Sequence, residues 1–358
     1  MSAPVVRFPV LWLCGPPGVG KSTAAWELFR ERPGAGYVDL DQLGLCYPEI
    51  PADPGRTELQ TRALGRVVTN VAAAGATSLI VSGLVDARRG IRTEVLSGAA
   101  LTVLRLRCDL PVLSRRLALR GRPGEDRAAA LAMAESLDRA GFAYPTVDTT
   151  RGDVTDVLAT VRERWPDQPP RAALPWPDPE ATPGEVVLLC GPAAAGKSTV
   201  GWELSRLARR DGHIAGLVDL RQIGFLGDRA DVRLEAANVA SLWSLFHRWG
   251  ARRLVVNGHI TDPRPYLDAL PAATVTVIRL RASSRTLRER IRLRGLGHGP
   301  LIAGDELRGA SATVLAAAHE AAVRQSEALD RSGAGRPVPT DDLSALDVAR
   351  RIARDVGW

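Results

Sequence analysis

The sequence predicts an α/β protein of two tandem domains, each a five-stranded parallel sheet with helices on both faces. Three observations lead there. The chain repeats itself once, each half alternates short apolar runs with longer segments of helical period, and each half opens with a strand, a glycine-rich loop and a helix former. At 358 residues, 45% hydrophobic and 24% charged, there is room for two cores of ordinary globular composition.

The repeat is long and ordered. VLWLCGPPGVGKSTAAWEL at 10–28 is answered by VVLLCGPAAAGKSTVGWEL at 186–204. Asp39-Leu40-Asp41-Gln42-Leu43-Gly44 returns as Asp219-Leu220-Arg221-Gln222-Ile223-Gly224, GATSLIVSG (75–83) as GARRLVVNG (250–258), and VLRLRCDLPVLSRRLALRG (103–121) as VIRLRASSRTLRERIRLRG (277–295). Between the halves, PDQPPRAALPWPDPEATPG at 166–184 is too rich in proline for a helix or central strand and favours an extended spacer. The expected division is a domain at 1–165, a linker at 166–184 and a domain at 185–358. Strands are expected near 9–14, 36–40, 78–82, 101–107 and 145–148, and near 185–190, 215–220, 253–257, 274–280 and 336–339. Trp26 and Trp202, at matching places after the glycine loops, read as core.

The glycine loops carry the chemistry. Gly15-Pro16-Pro17-Gly18-Val19-Gly20-Lys21-Ser22-Thr23 and Gly191-Pro192-Ala193-Ala194-Ala195-Gly196-Lys197-Ser198-Thr199 both fit the phosphate-binding pattern G-x4-G-K-[ST], each between a strand and a helix. Glycine lets backbone N–H groups turn inward around a phosphate, and the helix N-terminus adds its positive end. The lysine reaches the outer phosphates, and Ser22 and Ser198 are the expected magnesium ligands. Lys21 and Lys197 are the only lysines among 47 basic residues. Arginine serves wherever a generic charge suffices, so lysine remains where a compact ammonium on a flexible stem is needed. Each domain is expected to be a P-loop NTPase domain binding ATP and Mg2+.

The third strands end in Ser82-Gly83 and Asn257-Gly258, not in an acidic pair, so an ordinary Walker B motif is missing. At this point each half resembles the P-loop kinases of small molecules and nucleic-acid ends: shikimate kinase, adenylylsulfate kinase, chloramphenicol phosphotransferase and polynucleotide kinase. Runs such as VDLDQLGLCYPE and LIVSGLVD are also similar to uncharacterised actinobacterial P-loop ATP-binding proteins. The resemblance implies that an aspartate at the tip of strand two contacts magnesium or takes the acceptor proton. Asp39, Asp41 and Asp219 stand at those positions, with Arg221 in place of a second carboxylate. Each aspartate would equally serve as a cap for the helix that follows. The resemblance also implies lid arginines, matched by Arg116-x3-Arg120-Gly121-Arg122 and Arg290-x3-Arg294-Gly295. A spacing of four puts each pair on one helical face, although in so arginine-rich a chain they could simply solvate a helix. Asp148-Thr149-Thr150 and Thr340-Asp341-Asp342 would border the adenine.

The halves also differ. Arg221 replaces Asp41, the second lid is longer by about 17 residues, and His259 and Asp262 stand where Leu84 and Ala87 do. The acceptor sites should therefore differ, with domain 1 the expected catalyst. Net charge +7 suits an anionic partner without naming it. Four cysteines without ligand spacing read as reduced and buried, and the absence of a leader or of an apolar run of roughly 18 residues suggests a cytoplasmic protein with no membrane partner. Three functions remain open: an ATP-dependent phosphotransferase acting on a small-molecule or nucleotide acceptor, a non-catalytic or regulatory ATP-binding switch, and a polynucleotide 5′-hydroxyl kinase. The last lacks an aromatic or dense basic tract beyond the lids.

Overall fold

The apolar run before each glycine loop becomes the central strand of a parallel sheet, flanked on both sides and therefore buried. In the computed structural model, which describes residues 7–120, 123–227, 229–299 and 303–358, the first half of the chain forms β1 (Phe8–Cys14), α1 (Lys21–Arg30), β2 (Ala35–Asp39), α2 (Leu40–Leu43), β3 (Cys46–Tyr47), α3 (Thr57–Ala73), β4 (Ser78–Gly83), β5 (Ala99–Arg107), α4 (Leu110–Leu119), α5 (Gly124–Arg139), β6 (Thr146–Asp148) and α6 (Val154–Arg164). The second half forms β7 (Gly184–Cys190), α7 (Lys197–Arg210), β8 (Ala215–Asp219), α8 (Leu220–Ile223), β9 (Phe225–Leu226), β10 (Arg229–Ala230), α9 (Val232–Arg248), β11 (Arg253–Asn257), α10 (Arg264–Ala269), β12 (Ala273–Arg281), α11 (Ser284–Gly295), α12 (Ala312–Ser332), β13 (Arg336–Pro339) and α13 (Ala345–Val356).

Two compact units result, and neither is a single stretch of chain. The first comprises the chain up to Gly44, Asp53–Pro177 and Gly224–Leu234; the second comprises Leu45–Ala52, Asp178–Ile223 and Glu235–Trp358. In the first, β2-β4-β1-β5-β6 form the five parallel strands, and β9 adds antiparallel to β2 with β10 beyond it. In the second, β13-β12-β7-β11-β8 are parallel and β3 adds antiparallel to β8. The expected five-stranded sheets thus carry extra edge strands, making seven and six. These two-residue strands have no periodicity of their own and left no trace in the sequence pattern.

The proline-rich spacer is extended as expected, but it is also docked. Arg32 Nε pairs with Asp167 at 2.9 Å and Leu174 N–H donates to Ala72 O at 3.2 Å in the first unit. Trp243 Nε1 donates to Thr182 O at 3.2 Å in the second. The reading of Trp26 and Trp202 as core needs correction. Trp26 is half-buried and Trp202 is 38% exposed, because each ring covers an edge strand instead of filling the interior. The four cysteines are buried and none forms a disulfide. Burial pushes the Cys14 thiol up to about 12 and Cys190 up to about 11, against partial relief from Lys21 and Lys197, so both stay protonated.

Two glycines set where the acidic helix turns lie. A Cβ on Gly83, at the end of β4, would come within 2.6 Å of Leu40 Cβ, and one on Gly258, after β11, within 2.6 Å of the Leu220 side chain. α2 and α8 can therefore sit against the ends of the neighbouring strands. Gly83→Ala should push α2 outward and cost about 1–3 kcal/mol, the usual range for an overpacked contact; urea unfolding followed by tryptophan fluorescence measures it.

Candidate nucleotide sites

Each P-loop is folded by glycines that no other residue can replace without strain. Gly15 has φ 142 and a Cβ there would lie 2.4 Å from Leu106 O; Gly191 has φ 147 and a Cβ would lie 2.7 Å from Leu280 O. Gly20 and Gly196 are left-handed N-caps of α1 and α7, whose first turns hold no acidic residue. The positive helix ends are left for an anion. A Cβ on Gly20 would meet nothing within 4 Å, so the mouth of the loop is open. In the second loop Ala194 takes Gly18's place at φ 62, an unfavourable left-handed conformation for a residue with a Cβ.

Both lysine ammonium groups turn back on their own loops. Lys21 Nζ donates to Pro16 O at 3.0 Å, and Lys197 Nζ donates to Gly191 O at 2.9 Å and Pro192 O at 2.8 Å. Burial holds both below the ordinary lysine value, opposed by Asp39 and Asp41 for Lys21 and by Asp219 for Lys197, which reaches about 8. A phosphate would relieve exactly this shortage of negative charge.

Asp39 and Asp219 each bind the start of the following helix with one oxygen and the P-loop serine with the other. Asp39 Oδ1 accepts from Asp41 N–H at 3.0 Å and caps α2, while Oδ2 accepts from Ser22 Oγ and Ser82 Oγ, each at 3.1 Å. Asp219 Oδ1 accepts from Arg221 N–H at 3.1 Å, and Oδ2 accepts from Ser198 Oγ at 2.8 Å and Asn257 Nδ2 at 2.7 Å. A P-loop hydroxyl beside a carboxylate is an oxygen donor set suited to a magnesium ion arriving with phosphates. Among the described residues no group of three or more His, Cys, Asp or Glu is placed to hold a metal by itself. Burial, then the charge of Asp41, raises the Asp39 carboxyl.

Ser82 and Asn257 were singled out only as missing acids; their hydrogen bonds to the strand-two aspartates are what those positions supply instead. Tyr37 OH adds a contact to Ser82 at 3.1 Å in the first unit, where the second has Leu217. Asn257 fits because Gly201 stands where the first half has Ala25. A Cβ on Gly201 would come 3.1 Å from Asn257 Oδ1, a buried oxygen without a hydrogen-bond partner among the described residues.

The acceptor sides diverge. Asp41 is exposed on the first turn of α2, with Gln60 Nε2 at 3.5 Å from its Oδ1. At the matching place Arg221 Nη2 donates to Gly304 O at 2.6 Å, and its neighbour Gln222 Nε2 donates to Ala303 O at 3.2 Å. The segment at 303–304 is thus fastened to the α8 turn of the second unit. His259 is exposed, and Asp262 pairs with Arg264 at 2.7 Å.

Of the lid arginines, the first in each pair turns inward. Arg116 donates to Thr149 Oγ1 and O at 3.3 and 2.6 Å. Arg290 donates to Ala194 O, Ala195 O, Thr340 Oγ1 and Thr340 O at 2.9 to 3.3 Å, bracing the P-loop against the end of strand five. The expected shared phosphate-facing face is therefore not what these two residues form. Arg120 is the exposed C-cap of α4, whereas Arg294 pairs with Asp305 at 2.9 Å; Gly121 and Arg122 lie outside the described residues. In the second unit Ala193 N–H, a P-loop donor, is taken by Gln325 Oε1 at 3.0 Å. Nothing in the sequence marked Gln60 or Gln325, because both lie on helices far along the chain from the residues they reach.

Residues 10–140 match a family model described as an AAA domain, and residues 187–299 match a second model of the same description. The chain carries two AAA-type P-loop domains in tandem. No curated protein matches it. Among solved structures it is similar to a sugar kinase from Janibacter sp. HTCC2649 (17% identity, TM-score 0.34, covering 44% of this chain and 94% of that one). It is also similar to the tunicamycin resistance protein of Deinococcus radiodurans (21%, 0.34, 44% and 95%) and to shikimate kinase from Acinetobacter baumannii (18%, 0.30, 48% and 93%).

The depressed Lys197 makes a pH prediction. Free Lys197 loses its proton as pH rises through about 8, while bound phosphate keeps it charged, so binding takes up a proton above that pH. In Lys21→Ala, ATP affinity should fall by up to about tenfold per pH unit above 8. Calorimetry in buffers of different ionisation enthalpy reads both the fall and the proton uptake.

Proposed function

We propose that the protein is an ATP-dependent phosphotransferase acting on a small-molecule or nucleotide acceptor, with the first unit as the catalyst. One contrast carries the reading: Asp41 presents an exposed carboxylate next to the Asp39–Ser22 pair, whereas the second unit places Arg221 there and uses it to hold its own lid.

The residues fit ATP with magnesium at the P-loops. Magnesium, held by Ser22 with Asp39 beside it, would neutralise charge on the phosphate oxygens. Lys21 leaves Pro16 O to meet the outer phosphates, and the α1 N-terminus and inward N–H groups hold them in place. Asp41, on the same turn as Asp39, takes the acceptor proton, and Gln60 orients its carboxylate. Arg116 keeps strand five and the lid helix together through Thr149, and Arg120 is left exposed for transferred charge.

A second reading applies to the second unit alone. There Arg221, Gln222 and Gln325 tie down the lid and one P-loop N–H, which favours a unit that holds nucleotide without transferring it.

Calorimetry should find two Mg-ATP sites in the wild type and one in either Lys21→Ala or Lys197→Ala, with turnover lost only in the first. Two sites remaining after either change would overturn the assignment of the loops. Asp41→Asn should lower turnover by about 10²–10⁴-fold, the span of general acid–base contributions, with little change in ATP affinity. ADP release across nucleosides, nucleotides, hydroxylated metabolites and 5′-hydroxyl oligonucleotides identifies the acceptor. A response confined to oligonucleotides would make the protein an end kinase, and a flat slow rate would make it a nucleotide-gated binding protein.

A further inference from the structure

The two edge segments that cross between sequence halves occupy equivalent places in the repeat. Leu45-Cys46-Tyr47 follows Gly44 as Phe225-Leu226-Gly227 follows Gly224. They also use one register. Cys46 and Tyr47 lie opposite Gly216 and Ala215, with Leu217 N–H donating to Leu45 O at 2.8 Å. Phe225 and Leu226 lie opposite Tyr37 and Gly36, with Gly227 N–H donating to Ala35 O at 3.0 Å. Backbone pairing alone would accept either segment on either sheet.

Side chains decide. Were Leu45–Tyr47 to lie on β2, Tyr47 would stand where Gly227 does, at φ 57 with its Cβ 2.5 Å from Pro33 O. Glycine takes that left-handed conformation without strain, and only glycine has that clearance. Phe225 instead sits among Trp26, Tyr37 and Phe29, with ring centroids at 4.9, 5.8 and 6.1 Å. Tyr47 meets Trp202 edge-on at 6.0 Å, with the Arg209 guanidinium 5.0 Å from its centroid and 5.1 Å from that of Trp202. Leu45 packs against the core around Val187 and Leu217. In a straight arrangement Gly227 would leave Trp202 and Arg209 uncovered.

The departure points are fixed too. Arg56 Nη1 donates to Gly44 O at 2.5 Å, and the buried Asp53 accepts from Glu58 and Leu59 N–H at 3.0 and 2.8 Å as the chain re-enters α3. Asn238 Nδ2 donates to Ile223 O at 2.7 Å, and Asp231 accepts from Leu234 N–H at 2.9 Å.

We propose that the halves of the sequence are interlocked by this reciprocal exchange, each nucleotide-binding unit taking its edge strand from the half that lacks its P-loop, and that neither half closes its sheet alone. In the full-length chain, Phe225→Ala should speed amide exchange at Ala35–Asp39, in the other half, at least tenfold, and leave Ala215–Asp219 unchanged. Faster exchange at Ala215–Asp219 alone, or at neither strand, overturns the proposal. If that variant fails to fold, Tyr47→Ala decides by the mirror criterion: exchange should rise at Ala215–Asp219 and not at Ala35–Asp39. A protease site inserted between Pro177 and Asp178 in the full chain gives a second readout. After cleavage the fragments should elute together at the mass of the intact chain and part only in denaturant; separation in native buffer overturns the interlock.

Discussion

Asp39 and Asp219 each divide their two carboxylate oxygens between a helix and a loop. One oxygen starts the short helix that follows strand two, and the other holds the P-loop serine from the side. The end of strand two, the start of the next helix and the phosphate loop therefore share one anchor, and none can move without disturbing the other two. The rest of each unit supports that anchor. The parallel strands place it beside the P-loop, and a glycine at the end of strand three lets the helix approach.

On this common frame the units were finished differently. The first leaves the Asp41 carboxylate exposed and has glycine at position 18 of its P-loop. The second substitutes Ala194, packs it with Ala193 against the cluster of Ala282, Leu287, Ile291 and Ala322, and adds a longer helix carrying Gln325. A left-handed alanine persists where surrounding contacts over-determine it, and here they do. One scaffold thus carries an alanine-packed loop in the second unit and a glycine-containing loop in the first.

Much of this was legible in the sequence. The ten long strands fall within a residue or two of the expected places, because parallel strands buried on both faces read as apolar runs. The P-loops were legible because glycine and lysine are chemically irreplaceable there. What escaped depended on partners distant in the chain. Gln60 and Gln325 are ordinary helix residues until the fold brings them to Asp41 and Ala193, and Arg290 spends its guanidinium on carbonyls that no sequence pattern displays. The crossed strands escaped for another reason: the two segments share a register, so the choice between them rests on one glycine and four aromatic contacts. Trp26 and Trp202 were misread for the same cause, since a ring that covers an edge strand resembles a core ring in sequence.

The pairing of Asn257 with Gly201 couples a strand position to a helix position. Asparagine opposite an alanine would press its side-chain oxygen against a methyl group at about 3.1 Å, tighter than ordinary packing. Glycine opposite a serine leaves only a small gap and a helix weakened by roughly 1 kcal/mol. Of the two single changes from the first half's pair, the one in the helix meets the smaller steric obstacle. Giving the first half the second's chemistry would set an asparagine at position 82 against the Ala25 methyl at about this distance, so the helix position and the strand position are coupled through one contact.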